Sequence, residues 1–459
     1  MQQLTNSATR DIEGVLHPTT SLHGHREKGP LIVDSAKGVY VTDTSGKQYL
    51  EGLAGLWCTG LGYGNEELVE TARKQMEQLS FQHLFGGRSH EPAIELAERL
   101  RAMSPAPTSK VFFTSSGSEA NDTQIKLTWY LNNARGKPKK KKIISRQRGY
   151  HGVSIASGSL TGLPLFHADF DLPMSRVSHA ACPHYWRHGE AGESEEDFAT
   201  RMADDLEALI LAENPEEVAA FIAEPLQGAG GVILPPKTYF EKVNAVLATY
   251  DIRCIVDEVI CGFGRTGNWF GSETFGCKPD TISVAKAITS AYVPLGAVTV
   301  SEDDYEAMLG SSRTHGMFAH GFTYSGHPLA CAVANKTLEI YERDDIVGHV
   351  RRMAPIFNLR LHALADHPLV GEARGTGLIC GLELVADKAT KTSFPASKGV
   401  GAKVVSFAED EGLICRAIGG DTVALCPPLI INGAQINEAF DKLGRALDRT
   451  ADWLAGAQH

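Results

Sequence analysis

The sequence predicts an α/β protein with a mostly parallel main sheet covered by helices, plus a smaller α+β domain built from both chain ends. Three observations carry this. Short apolar runs of buried-strand type recur at 111–113, 143–145, 219–223, 252–256, 281–285 and 295–300. Helix-length stretches or Gly/Pro-rich turns separate them, and strands alternating with helices imply parallel pairing through crossovers. After about residue 326 the pattern changes: helical stretches Leu329 to Tyr341 and Ile346 to Leu364 lead into short alternating segments such as Gly377 to Leu382. The expected division is 1–60 as an N-terminal segment packing with the small domain, 61–326 as the large domain and 327–459 as the small C-terminal domain.

The elements follow in chain order. Met1 to Leu16 mixes Asn, Arg, Asp and Glu and has no apolar stretch of signal-peptide length. Gly38 to Asp43 alternates as a strand does, with a turn at Ser45-Gly46. Residues 91–103 place Ile94, Ala97, Leu100 and Met103 on one helical face, with Pro92 near the first turn. Val111-Phe112-Phe113 ends in Thr114 to Ser118, and a helix pattern continues through Asn121 to Tyr130. The basic run Lys137 to Lys142, broken by Pro138, precedes the strand-like Ile143-Ile144-Ser145 and reads as a solvated surface loop.

Composition excludes several classes. Across 459 residues, 43% hydrophobic and 22% charged content leaves no compositional case for disorder. Lys and Arg total 44 against 55 acids, a net charge of -11, which removes the general attraction to nucleic acid or anionic membranes. Nine cysteines without a C-x-x-C pair indicate reduced thiols. With no run of 18 apolar residues, the expectation is a soluble, cytoplasmic protein.

Three places carry chemistry. Ser115-Ser116-Gly117-Ser118-Glu119 sits where a strand gives way to a helix, so backbone N–H groups and the helix dipole converge beside hydroxyls as a phosphate seat; an ordinary serine N-cap gives the same pattern. Asp257 ends a buried run at the carboxyl edge of the sheet, where it either bonds to backbone or holds a cationic ring nitrogen; Glu258 points to the other face. Lys286 follows Ile282 to Ala285, and desolvation of such an amine makes it nucleophilic toward carbonyls; snorkelling to the surface is the alternative. Gly262-Phe263-Gly264-Arg265-Thr266-Gly267 matches the dinucleotide fingerprint formally, but turn and aromatic residues follow where a helix should open. No residues suggest a metal site.

In this order, Ser116 to Ser118, Tyr150-His151-Gly152, Glu224-Pro225, Asp257-Glu258-Val259, Gly262 to Gly267 and Lys286 resemble the class III pyridoxal-phosphate aminotransferases over nearly the whole chain. Gly55 to Cys58, Gly228 to Val232, His320 to Pro328 and Cys426 to Leu429 are similar to the amine:pyruvate, or ω-transaminase, branch. Ala287 departs from the glycine usual after the lysine. The resemblance implies fold type I, pyridoxal 5'-phosphate as cofactor and a homodimer with shared active sites.

It further implies roles. Lys286 would bond to the cofactor aldehyde and then shuttle a proton; Asp257 would keep the pyridine nitrogen protonated. Tyr150 and Val259 would flank the ring, Ser116, Gly117 and Ser118 would hold the phosphate, and Glu224 and His151 would belong to the surrounding network. Phe322 and Thr323 would reach the partner's cofactor, with a plain turn hydroxyl as the alternative for Thr323. Trp57, Phe85, Tyr150 and Ala229 would line the substrate pocket, while Arg416 would pair with a carboxylate and withdraw for an uncharged amine. The implied activity is transfer of an amino group from a primary amine to pyruvate or a similar 2-oxo acid. An ω-amino-acid transaminase or an aminomutase is the alternative within the family; an NAD-dependent dehydrogenase or a non-catalytic binding protein of the same fold lies outside it.

Overall fold

A computed structural model describes residues 6–456; the expected outer segments begin and end on residues beyond these. The main sheet has seven strands in the order Lys110–Thr114, Gly296–Val300, Thr281–Ala285, Arg253–Asp257, Val218–Ala223, Lys142–Arg146, Val177–Ala180. Every pairing from Thr281–Ala285 to Val177–Ala180 is parallel, and Gly296–Val300 runs antiparallel to both neighbours. That strand follows its neighbour after the short connection 286–295, which holds no crossover helix, and it returns antiparallel. All residues of Val218–Ala223 and Thr281–Ala285 are buried, which is why these runs are uniformly apolar or small rather than alternating.

The carboxyl ends of Lys110–Thr114, Lys142–Arg146, Val218–Ala223, Arg253–Asp257 and Thr281–Ala285 therefore share one edge, together with Gly296. Gly296 has to be glycine: a Cβ there would stand 2.5 Å from Thr114 Oγ1 and 2.6 Å from Ser116 O. Close approach at that point lets the strand edge and the following helix meet.

Both chain ends build the remainder. Strands Val33–Lys37, Tyr40–Asp43 and Gln48–Glu51 form a sheet completed by Leu413–Ile414, paired parallel to Gln48–Glu51 with Leu413 opposite Leu50. A further sheet has the order Val370–Thr376, Ile379–Leu384, Thr422–Leu425, Arg416–Ile418. Helix Gly433–Gly456 packs on Val400–Asp410 and Ile346–Ala363, and Pro328–Arg343 packs on Glu66–Gln78 and Glu91–Met103. Among the described residues no helix is long and apolar enough to cross a membrane.

Four local expectations need correction. Helix Glu91–Met103 buries Ala93, Leu96 and Leu100, whereas Ile94 is exposed, so its apolar face is rotated from the expected one. The lysine run is not simply solvated: Lys140 is buried with its ammonium on the carbonyls of Tyr250 and Asp251, and Lys142 pairs with Glu213 and Glu217. Strand Val177–Ala180 has no counterpart in the sequence reading, because its central Ser178 and His179 interrupt the apolar run. Ile379–Leu384 is buried at every position instead of alternating.

Candidate active site

The shared strand edge assembles the site from its ends. Ser116, in extended conformation after the strand, caps helix Gly117–Ala134 by accepting Glu119 N–H at 3.2 Å, and the Glu119 carboxylate accepts Ser115 N–H at 2.7 Å. The first intrahelical bond is donated by Ala120 to Ser116 O, so Gly117 and Ser118 present the leading N–H groups. A Cβ on Gly117 would touch Val259 Cγ1 at 3.0 Å, which places the helix start against the turn after Asp257. Gly152, at φ +141, comes so close that a Cβ would lie 2.6 Å from Ser118 Oγ, and Val153 N–H donates to the same hydroxyl at 3.3 Å. Helix start, Tyr150–Gly152 turn and Val259 thus form one surface.

Asp257 is buried and its carboxylate is fully oriented. Oδ2 accepts His151 Nδ1 at 2.8 Å and Asn121 Nδ2 at 2.7 Å; Oδ1 accepts Val259 N–H at 3.0 Å. Asn121 also donates to His151 O at 2.7 Å, tying helix, turn and strand end together. Because Nδ1 faces a carboxylate, it carries the proton and fixes the imidazole tautomer. His151 Nε2 and Asn121 Oδ1 are buried without a hydrogen-bond partner among the described residues. Glu224, also buried, accepts Tyr150 N–H and Gly228 N–H, each at 2.9 Å, and burial pushes its carboxyl group above the usual range.

Lys286 directly follows its strand at φ +55 and opens the short turn Lys286–Thr289. Burial lowers its proton affinity and outweighs the opposing pull of Asp257, Cys58 and Glu224. A buried amine of lowered proton affinity, a buried carboxylate and a hydroxyl-rich helix start suit the three reactive parts of pyridoxal phosphate: its aldehyde, its ring nitrogen and its phosphate. The donor set therefore fits that cofactor.

Around this centre, Trp57 is buried at φ +64 in an apolar cluster with Val232, Ile260 and Ile418. Ala229 is half-buried in the otherwise buried tip of the loop following Glu224. Arg416, half-buried, makes no side-chain hydrogen bond or ion pair with any described residue, yet its charge reaches Tyr150 and opposes the rise that burial imposes on the phenol. Phe85, Phe322 and Thr323 stand apart. Phe85 packs on Gly321, Phe322 meets Phe112 on the edge strand, and Thr323 is exposed. No hydrogen bond or ring contact among the described residues joins them to Asp257 or Lys286 of the same chain.

The segment Gly262 to Gly267 is structural: buried Arg265 donates to Leu378 O and Pro427 O, and no helix opens before Gly271. Glu258 turns away from the site onto the N–H groups of Gly271 and Ser272. Sequence reasoning did not identify Asn121; it lies one helical turn after Ser118, but the same helix also buries Thr123, Gln124 and Thr128, so its polarity does not single it out. Nor did it identify Cys58 and Cys426 as neighbours of Lys286, for which no local signal exists.

Comparison with known proteins agrees with this geometry. The sequence pattern of the family described as aminotransferase class-III matches residues 23–447. Gamma aminobutyrate transaminase 3, chloroplastic, of Solanum lycopersicum is 50% identical over 450 residues, 97% of this chain and 86% of that protein. Gamma-aminobutyrate transaminase 1, mitochondrial, of Oryza sativa subsp. japonica is 49% identical over 443 residues, 96% of this chain and 86% of that one. The omega transaminase from Pseudomonas jessenii in complex with PMP superposes with a TM-score of 0.96 at 50% identity, covering 98% of this chain and 99% of that chain. A transaminase with L-ala gives 0.90 at 53% identity, covering 92% and 100%.

Proposed function

This chain belongs to the class III aminotransferases, pyridoxal 5'-phosphate enzymes of fold type I, and from that premise we propose that it moves the amino group of a primary amine to pyruvate or a similar 2-oxo acid. The observation that carries this reading is Arg416: a half-buried cation without a partner among the described residues, whose charge reaches Tyr150. A half-buried guanidinium with no ion-pair partner among the described residues suits a carboxylate that comes and goes. Apolar Trp57 and the small side chain of Ala229 suit the carbon frame of a bulky amine.

The cofactor supplies an aldehyde and a cationic ring that takes up electrons released from the substrate's C–H bond. The chain's own groups do the rest. Lys286 offers a buried amine whose lowered proton affinity keeps it available as nucleophile and base at its Nζ. Asp257, fixed by His151, Asn121 and Val259 N–H, would hold the cofactor's ring nitrogen. Ser116, Gly117 and Ser118 would hold the cofactor's phosphate at the helix start, and Tyr150 and Val259 would flank its ring. Glu224 orients Tyr150 through its backbone N–H. Phe85, Phe322 and Thr323, gathered away from Lys286 of their own chain, are assigned to the partner subunit's site in a homodimer.

A second reading, 4-aminobutyrate as amino donor, is favoured by the plant relatives named for that substrate. Arg416 suits its carboxylate as well. Half-reactions with 1-phenylethylamine, β-alanine and 4-aminobutyrate, each followed by pyruvate, separate the two readings. Conversion of the cofactor spectrum by 1-phenylethylamine is expected. Conversion by the ω-amino acids alone overturns the amine:pyruvate reading.

A further inference from the structure

The loop that carries Ala229 is closed by paired bonds between Gln227 and Ile233, each 3.0 Å, and its tip is Gly228 to Val232. Val232 lies at φ +52 and is fully buried. A β-branched residue in the left-handed region is strained and stays there only if its surroundings hold it. One side chain does so directly. Arg374 Nε donates to Gly231 O at 3.1 Å and to Val232 O at 3.0 Å, and Nη2 donates to Gly231 O at 2.6 Å.

Arg374 is itself locked. Its Nη1 donates to Glu372 at 2.5 Å and Glu383 at 2.7 Å; Glu372 also meets His184 at 2.7 Å, and Glu383 accepts Arg187 at 2.5 Å. These acids stand on Val370–Thr376 and Ile379–Leu384, in the sheet that also contains Arg416–Ile418. On its other side the loop tip abuts the turn after Arg416: a Cβ on Gly419 would lie 2.4 Å from Gly230 O, and Arg148 Nη2 donates to Gly419 O at 2.8 Å.

We propose that Arg374 is a positioning residue for substrate choice: by holding the carbonyls of Gly231 and Val232 it keeps strained Val232 in place and so fixes Ala229 relative to the Arg416 turn. This rests on the reading that Ala229 and Arg416 face the substrate. A purely stabilising ion pair would have no need to reach both carbonyls flanking the strained residue. Arg374→Lys tests the distinction, because lysine retains the charge pairing with Glu383 but cannot fork onto two carbonyls. Glycine adopts the left-handed conformation without strain, so Val232→Gly removes the need for the clamp.

The experiment compares kcat/KM for 1-phenylethylamine and for L-alanine in the parent holoenzyme, Arg374→Lys and Arg374→Lys/Val232→Gly, with Tm and bound cofactor measured in each. For Arg374→Lys the ratio of bulky to small donor is expected to fall about tenfold, carried by KM, and the added Val232→Gly to return it to within about twofold of the parent. Equal losses for both donors, or a ratio that Val232→Gly leaves depressed, overturn the proposal. Should Arg374→Lys not be recovered as holoenzyme, the double variant decides: recovery with the parental ratio supports the clamp, and failure of that recovery overturns it. A parent enzyme that converts neither donor sinks the underlying reading instead, whereas an active parent with an indifferent Arg374→Lys sinks only the clamp.

Discussion

Replacing Arg416 by leucine removes the pocket's unpaired cation while keeping much of its apolar stem. The side chain is half-buried, so its bond to a carboxylate falls between an exposed pair, worth under about 1 kcal/mol, and a fully buried one, worth about 3–5 kcal/mol when broken. A charge-assisted bond of about 1.5–3 kcal/mol corresponds to roughly ten- to hundredfold in kcat/KM. That loss is expected for pyruvate and for 4-aminobutyrate, and a change of less than about twofold for 1-phenylethylamine, which has no carboxylate for the arginine to meet. Stopped-flow absorbance of single half-reactions isolates each substrate. A loss of equal size for charged and uncharged substrates refutes the assignment, because it would mean that Arg416 maintains the pocket rather than recognises the acid.

Ala229→Leu fills the loop tip; turnover of aryl amines is expected to fall at least about tenfold more than that of alanine, and equal losses in a donor panel count against that wall. Asp257→Asn removes the charge that His151 and Asn121 orient; kcat should fall about 10²- to 10³-fold with cofactor content, assayed after denaturation, little changed. Glu51 is buried, and desolvation pushes its carboxyl from the ordinary 4.5 up to about 7. Between those values the folded protein retains a proton that the unfolded chain has lost, so Glu51 costs stability progressively as pH rises through that window, up to roughly 3 kcal/mol above it. Glu51→Gln should therefore raise Tm near pH 8 and leave it nearly unchanged near pH 4; the same Tm shift at both values contradicts the burial argument.

The residues proposed to face the cofactor leave local marks in the sequence. Asp257 and Lys286 each end a short apolar run, and Ser116 to Ser118 mark a strand-to-helix transition, so neighbours within a few residues disclose them. The holding residues leave no such mark. Arg374 acts on carbonyls 142 and 143 positions earlier, and only folding reveals that Val232 is strained. Burial of Lys140 is likewise decided by the carbonyls of Tyr250 and Asp251, which end a distant helix. Helix Glu91–Met103 was readable as amphipathic, but the phase of its buried face is set by the approach of Pro328–Arg343, which periodicity does not encode. Phe85, Phe322 and Thr323 show the converse: the family pattern groups them with the site, while within one chain Phe85 packs on Gly321 and Phe322 on Phe112, with no hydrogen bond or ring contact to Asp257 or Lys286 among the described residues.

The most direct test of the account is reduction of the holoenzyme with borohydride followed by peptide mapping. A buried amine condensed with the cofactor's aldehyde must leave a reduced pyridoxyl group on the peptide containing Lys286 and on no other, and Lys286→Ala must leave none. A label on a different lysine, or an unlabelled Lys286 in an enzyme still active with pyridoxal phosphate, contradicts it.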